Sequence, residues 1–123
     1  ANRTPARAQE IAAAFAALGP VEAIALDALV ASDHEIVVNA TSTSTRGEPL
    51  ELPQGVLRPG VFAYDMAYGP TARAFLQRAT AAGARASDGL GMLVEQAAES
   101  FRLWRGRTPA TAPVIAELRA RTA

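Results

Sequence analysis

Strand-like and helix-like segments alternate along this chain, and that alternation predicts an α/β layer with parallel strands. Two further observations point the same way. The β-rich runs are short and continuously apolar, as strands buried on both faces require. The connections between them are long enough to hold a helix or an extended crossover, which parallel pairing needs.

The elements follow in order. Thr4-Pro5 is a helix start: the hydroxyl can cap free N–H groups, and proline at the first position loses nothing by lacking its own. Ala8, Ile11, Phe15 and Leu18 then recur at helical spacing up to Gly19-Pro20, giving a helix over about 5–18. Glu22 to Leu26 is a strand candidate, and Asp27 can cap a brief turn through Val30. Glu35 to Asn39 reads as a buried strand that ends in the polar run Ala40 to Arg46. The Gly/Pro-rich stretch Gly47 to Pro59 leaves room for only a short helical turn near Gln54 to Leu57. Val61 to Asp65 is the third strand candidate. A helix from about Thr71 to Ala82 is closed by Gly83, a long one follows at 89–105, and a last one covers Pro109 to Arg121.

A parallel sheet of three short strands leaves buried-type edges unpaired. Ala1 also begins abruptly, as if at the end of a missing strand. The chain is therefore expected to be part of a larger fold.

Composition sets outer limits. The 123 residues form at most one domain, with enough apolar residues (50%) for a core. Twelve basic residues balance twelve acidic ones, so net charge draws the chain neither to nucleic acid nor to an anionic membrane. All twelve basic residues are arginine. There is no cysteine, which excludes disulfides and thiolate chemistry, and His34 is the only histidine, read as an exposed loop residue unsuited to catalysis or metal. With no bilayer-length apolar run and no signal-peptide pattern, a cytoplasmic location is expected.

In an open parallel sheet, ligands bind beyond the carboxyl ends of the strands. Asn2-Arg3-Thr4, Asn39 to Ser42 and Asp65 to Tyr68 all fall at such positions and would line one crevice. Arg3 and Arg7 flank the first turn of the first helix, where free N–H groups already favour an anion; two guanidinium groups there suit a phosphate. Two solvated arginines beside an ordinary cap fit the same spacing, which alone favours that alternative. Asn39 to Ser42 reads equally as a strand end capped by side-chain hydrogen bonds. Tyr68 reads equally as a half-buried aromatic whose hydroxyl meets a backbone group. On the long helix, Leu90, Leu93, Ala97, Phe101 and Trp104 form one stripe and Glu95, Glu99 and Arg102 the opposite side. Gly89, Met92 and Gln96 form a narrow third face, so that Gln96 either looks into a crevice or bonds a neighbouring loop.

The runs NRTPARA at 2–8, IVVNATS at 36–42, YDMAY at 64–68 and DGLGMLVEQAAESFRLWRG at 88–106 together resemble the shikimate dehydrogenases, in that family's order. The last run is the most specific. The resemblance covers the whole chain but only the C-terminal part of the family pattern. It implies a partial Rossmann-like domain with parallel strands followed by C-terminal helices, divided as 1–88 and 89–123. An N-terminal substrate domain and a glycine-rich phosphate loop would be missing. Two departures stand out: Thr43-Ser44-Thr45 intervene before Gly47, and GPTARAFL at 69–76 replaces the usual Thr-Pro.

The resemblance further implies NADP as cofactor. Asn2, Arg3, Thr4 and Arg7 match the site for the ribose and its 2′-phosphate; Thr41 and Ser42 match the loop beside the cofactor; Met66 and Gly89 match positions at the nicotinamide end. Tyr68 and Gln96 match residues that reach shikimate or 3-dehydroshikimate. The family's proton route uses a lysine and an aspartate of the N-terminal domain, and this chain has no lysine. No catalytic residue is therefore assigned here, no metal is expected, and Asp65 and Asp88 are read as turn or cap residues. The expected partners are that substrate pair and the missing domain, with a homodimer as one expected assembly. The isolated chain is expected to turn nothing over, to bind cofactor weakly and to aggregate through exposed apolar edges. Two alternatives stay open: a quinate/shikimate dehydrogenase using NAD, and an inactive nucleotide-binding module.

Overall fold

A computed structural model describes residues 1–30 and 34–122. Three parallel strands, β1 (Ile36–Asn39), β2 (Phe62–Asp65) and β3 (Arg85–Ser87), form one sheet in the order β1-β2-β3. Around them lie α1 (Pro5–Phe15), the single turn α2 (Thr43–Arg46), α3 (Arg73–Ala81), α4 (Leu90–Arg105) and α5 (Ala112–Thr122). The α/β reading holds, but one strand differs from expectation. Glu22 to Leu26 contributes only an isolated parallel bridge between Asn2 and Ala25. A cleft of about 450 Å³, lined by Ile24, Leu29, Ile36 and Val38 among others, separates that bridge from the outer edge of β1. Pairing needs adjacent backbones, and the cleft holds this segment away from the free edge of β1.

The third strand is instead Arg85-Ala86-Ser87, which carries no β-branched signal. Pairing with β2 makes it a strand, with Phe62 opposite Arg85 and Tyr64 opposite Ser87. It is reached through Gly83, whose φ of +81° lets the chain leave α3 at the expected point. The turn expected near Gln54 to Leu57 is not helical, and its Val56 and Leu57 are core residues. The chain after Tyr68 opens with a 3-10 turn, Gly69–Thr71, before α3. α5 starts three residues later than Pro109, with the Thr111 carbonyl accepting the first helical N–H, from Ile115.

The sheet has two unlike faces. On one, Ala63 and Ala86 meet Phe75 and Ala79 of α3, and Leu52, Val56, Leu57 and Val61 close the core. Arg78 secures the covering loop by donating to the carbonyls of Leu50 (2.8 Å) and Leu52 (2.9 Å). The register puts Ile36, Val38, Phe62 and Tyr64 on the other face, where Ile36 and Val38 are 62% and 52% exposed. The Arg85 guanidinium lies over the Phe62 ring, 5.7 Å from its centre.

Two predicted core stripes are also largely uncovered. α1 ends at Phe15 rather than Leu18, and in it only Ala8 is buried; Ile11, Phe15 and, beyond the helix, Leu18 are exposed. In α4 the buried stripe is Leu90, Val94 and Ala98, while Ala97, Phe101 and Trp104 face outward. The helix has apolar residues on two adjacent stripes, and this chain's core meets only the narrower one. His34 is not an exposed loop residue: it is half-buried, with Nε2 2.8 Å from the Val56 carbonyl and Arg58 donating to its backbone oxygen at 3.0 Å.

Candidate functional site

The carboxyl ends of β1 and β2 are joined by a buried polar cluster. Asn39 and Asp65 are paired across the sheet and are each 1% exposed. Asn39 Nδ2 donates to Asp65 Oδ2 and to Ser44 Oγ, both at 3.0 Å, and Ser44 Oγ donates to the same carboxylate oxygen at 2.6 Å. Asn39 Oδ1 accepts from the Thr41 backbone N–H (3.1 Å) and hydroxyl (2.7 Å). With its proton so used, Thr41 Oγ1 accepts from Thr43 Oγ1 at 2.7 Å. Asp65 Oδ1 accepts the Ala67 N–H at 2.9 Å, a side-chain turn that reverses the chain after β2. Asp65 thus serves as the expected turn residue, and Asn39 as the strand-end cap. Ser44 is a member that sequence reasoning misses, since a serine in a polar run carries no signal that it will be buried.

Thr41 and Ser42 are exposed on the loop leaving this cluster, and Ser42 Oγ accepts from Arg46. Thr43-Ser44-Thr45, with Arg46, form the single turn α2, ended by Gly47. Met66 and Tyr68 are 45% and 42% exposed on the loop leaving β2, and the Met66 N–H donates to the Asn39 carbonyl at 3.0 Å. The Tyr68 hydroxyl has no hydrogen-bond partner among the described residues, unlike the backbone-paired alternative.

Gly89 is buried against this second loop. Its N–H donates to the Ala67 carbonyl at 2.8 Å, and a Cβ placed on it would lie 2.2 Å from the Met66 carbonyl oxygen. The backbone that approaches Gly89 is therefore the chain's own. Next to it, Asp88 accepts from Gly69 N (3.3 Å), Leu90 N (3.4 Å) and Arg119 Nη2 (3.2 Å), joining the loop, the start of α4 and α5. Arg119 is a structural partner that its position in a weakly patterned helix did not reveal. Met92 and Gln96 follow Gly89 on α4, both exposed, and the Gln96 side chain has no hydrogen-bond partner among the described residues. The structure thus brings Thr41, Met66 and Gly89 into one connected region, with Tyr68 and Gln96 on the elements that leave it.

Asn2, Arg3, Thr4 and Arg7 stand apart, across the cleft beside β1. Asn2 Oδ1 accepts the Thr4 N–H at 2.9 Å, while Thr4 makes no side-chain cap to α1, contrary to expectation. Asn2 instead turns the chain into the helix, whose Arg7 N–H bonds the Thr4 carbonyl at 3.0 Å. Arg3 and Arg7 are exposed, and neither guanidinium has a hydrogen-bond or ion-pair partner among the described residues. Both remain available to an anion, although Arg3 shares a cleft with Asp27 and Glu51, whose charges oppose one. No group of three or more His, Cys, Asp or Glu residues that could hold a metal occurs among the described residues. No helix among them is long and apolar enough to cross a membrane.

Residues 89–119 match the family described as the Shikimate 5'-dehydrogenase C-terminal domain, and the match starts at the buried Gly89. A shikimate dehydrogenase (NADP(+)) of Acidovorax sp. (strain JS42) is 57% identical over 123 residues, covering 97% of this chain and 44% of the relative. The chain is related to the C-terminal part of the shikimate dehydrogenases. It spans less than half the length of such relatives. The fold agrees. The ligand-free 5-ketofructose reductase of Gluconobacter sp. strain CHM43 superposes with a TM-score of 0.78 at 29% identity, over 97% of this chain and 45% of that one. Quinate dehydrogenase from Corynebacterium glutamicum, solved in complex with NAD, gives 0.74 at 26% identity, over 96% and 44%.

Proposed function

We propose that this chain is the cofactor-binding, C-terminal part of an NADP-dependent shikimate dehydrogenase, which interconverts 3-dehydroshikimate and shikimate. The observation that carries the reading is the run matched to the family: it begins at Gly89, packed on Met66, and continues into the helix that presents Gln96. Arg3 and Arg7, with their free guanidinium groups at the start of α1, fit the 2′-phosphate that distinguishes NADP from NAD. Thr41, Ser42, Met66 and Gly89 would border the cofactor, and Tyr68 and Gln96 would offer a hydroxyl and an amide to the substrate's hydroxyl and carboxylate groups. The bound cofactor would supply the hydride chemistry; this chain's residues would bind and orient. Residues 1–88 then form the partial cofactor domain, and 89–123 the helices facing the substrate domain.

The uncovered surfaces support a second part of the reading. Ile36 and Val38 on the open sheet face, Phe15 at the end of α1 with Leu18 just beyond it, and Leu103 and Trp104 on α4 are all large apolar residues left exposed, and contiguous exposed apolar surface marks a place where a partner packs. We propose that the N-terminal part of the same enzyme covers them and brings the groups that move the proton.

The test is reconstitution. The N-terminal part of the Acidovorax relative is joined to this chain, and shikimate oxidation is followed with NADP and with NAD. Activity is expected only in the joined protein, with NADP preferred. Replacing either Arg3 or Arg7 by alanine should weaken NADP binding about tenfold to hundredfold, the weight of one charge-assisted hydrogen bond, and leave NAD unchanged. A preference for NAD would turn the assignment to the quinate/shikimate alternative. Absence of activity in a folded, NADP-binding fusion would favour the nucleotide-binding module.

A further inference from the structure

We propose that Asn39, Ser44 and Asp65 are positioning residues that couple the loop after β1 to the loop after β2, so that both take one geometry before cofactor arrives. The inference rests on the cofactor reading above for its functional meaning, and on the hydrogen-bond directions for its mechanism.

Those directions fix the Asn39 amide. Its nitrogen faces two acceptors, Asp65 Oδ2 and Ser44 Oγ, and its oxygen faces two donors on Thr41. Turning the amide over would set donor against donor on one side and acceptor against acceptor on the other. The orientation that holds Thr41 is therefore dictated by a carboxylate on the neighbouring strand, 26 residues away in sequence. The other oxygen of that carboxylate holds Ala67, between Met66 and Tyr68. One side chain thus sets both loops, although it touches neither Thr41 nor Ser42. Because the cluster is buried, water cannot replace a lost partner, and an error at Asp65 passes to Thr41.

Asp65→Asn tests this in the joined protein described above, where this chain has an N-terminal part to pack against. The new amide keeps an oxygen for Ala67 but presents NH₂ to the NH₂ of Asn39. Asn39 must turn over, and Thr41 loses its acceptor. Hydrogen exchange at the Thr41 amide should accelerate about fivefold to tenfold, the equivalent of one neutral hydrogen bond, while amides inside α3 stay protected. The double variant Asn39→Asp/Asp65→Asn exchanges the two groups and restores every donor–acceptor pair, so Thr41 protection should return. NADP added to the parent is expected to shift the amides at 41–42 and 66–68 together, to shift them less in D65N, and to shift them again in the double variant.

Unchanged Thr41 exchange in a folded D65N would overturn the coupling. So would a folded double variant that fails to restore it. Where D65N does not fold, the double variant decides alone: parent-like protection supports the coupling, and failure to fold refutes it. Absence of NADP shifts in the parent would defeat the cofactor reading instead, with the exchange rates still deciding the coupling.

Discussion

Replacing Gly89 by alanine sets backbone preference against packing, and the structure decides the sign. Gly89 has φ −78° and ψ 4°, a conformation alanine accepts without strain. From the unfolded chain alone, such a change would stabilise by about 0.4–1 kcal/mol. The new Cβ, however, would lie 2.2 Å from the Met66 carbonyl oxygen and 2.8 Å from its carbon. Ordinary C···O contacts begin near ~3.3 Å, so the start of α4 must retreat by about 1 Å. That movement breaks the Gly89–Ala67 hydrogen bond, worth about 1 kcal/mol, and disturbs packing at about 1–3 kcal/mol. The net expectation is a loss of about 2–3 kcal/mol, or roughly 8–12 °C in Tm for a chain of this size. Urea unfolding followed by circular dichroism at low micromolar concentration measures it. Gly91, two residues on, is the internal control. It lies inside the helix, where an added methyl would meet nothing within 4 Å, and G91A should stabilise by about 0.5–1 kcal/mol. A G89A chain as stable as the parent would refute the packing account.

Asp88 and Arg119 should weigh very differently although they form one ion pair. Asp88→Ala strips the acceptor from three donors at a buried position and should cost about 2 kcal/mol, whereas Arg119→Ala, with its side chain 54% exposed, should cost less than about 1 kcal/mol; the urea midpoints compare them. On the exposed side of α4, Arg102 donates to both Glu99 oxygens, at 2.8 and 2.5 Å, and this hydrogen bonding, helped by its charge, holds the Glu99 carboxyl below the usual carboxylate range. A lowered folded-state pKa contributes stability above the unfolded value and loses it as pH falls through the folded value. An NMR titration should show Glu99 titrating low in the parent and returning towards its ordinary range in Arg102→Gln.

Much of this protein is determined locally. The Val-rich strand at 36–39, the Thr-Pro start of α1, the Gly83 stop and the long periodic α4 each carry their signal within a few residues, because propensity, capping and φ are local properties. The framework of the candidate site is legible for a related reason: Asn39, Asp65 and Gly89 stand at the ends of strands and the start of a helix, where polar or unusually small residues need an explanation. Tertiary structure decided the rest. Arg85 to Ser87 is a strand only because β2 offers it an edge. Ser44 is buried only because Asp65 and Asn39 meet over it. Which of two apolar stripes of α4 enters the core depends on what lies beside the helix: Leu90, Val94 and Ala98 are covered here, while Phe101 and Trp104 are not. Periodicity shows that a helix face is apolar, but burial belongs to a pair of surfaces, and the second surface is never written in the helix itself.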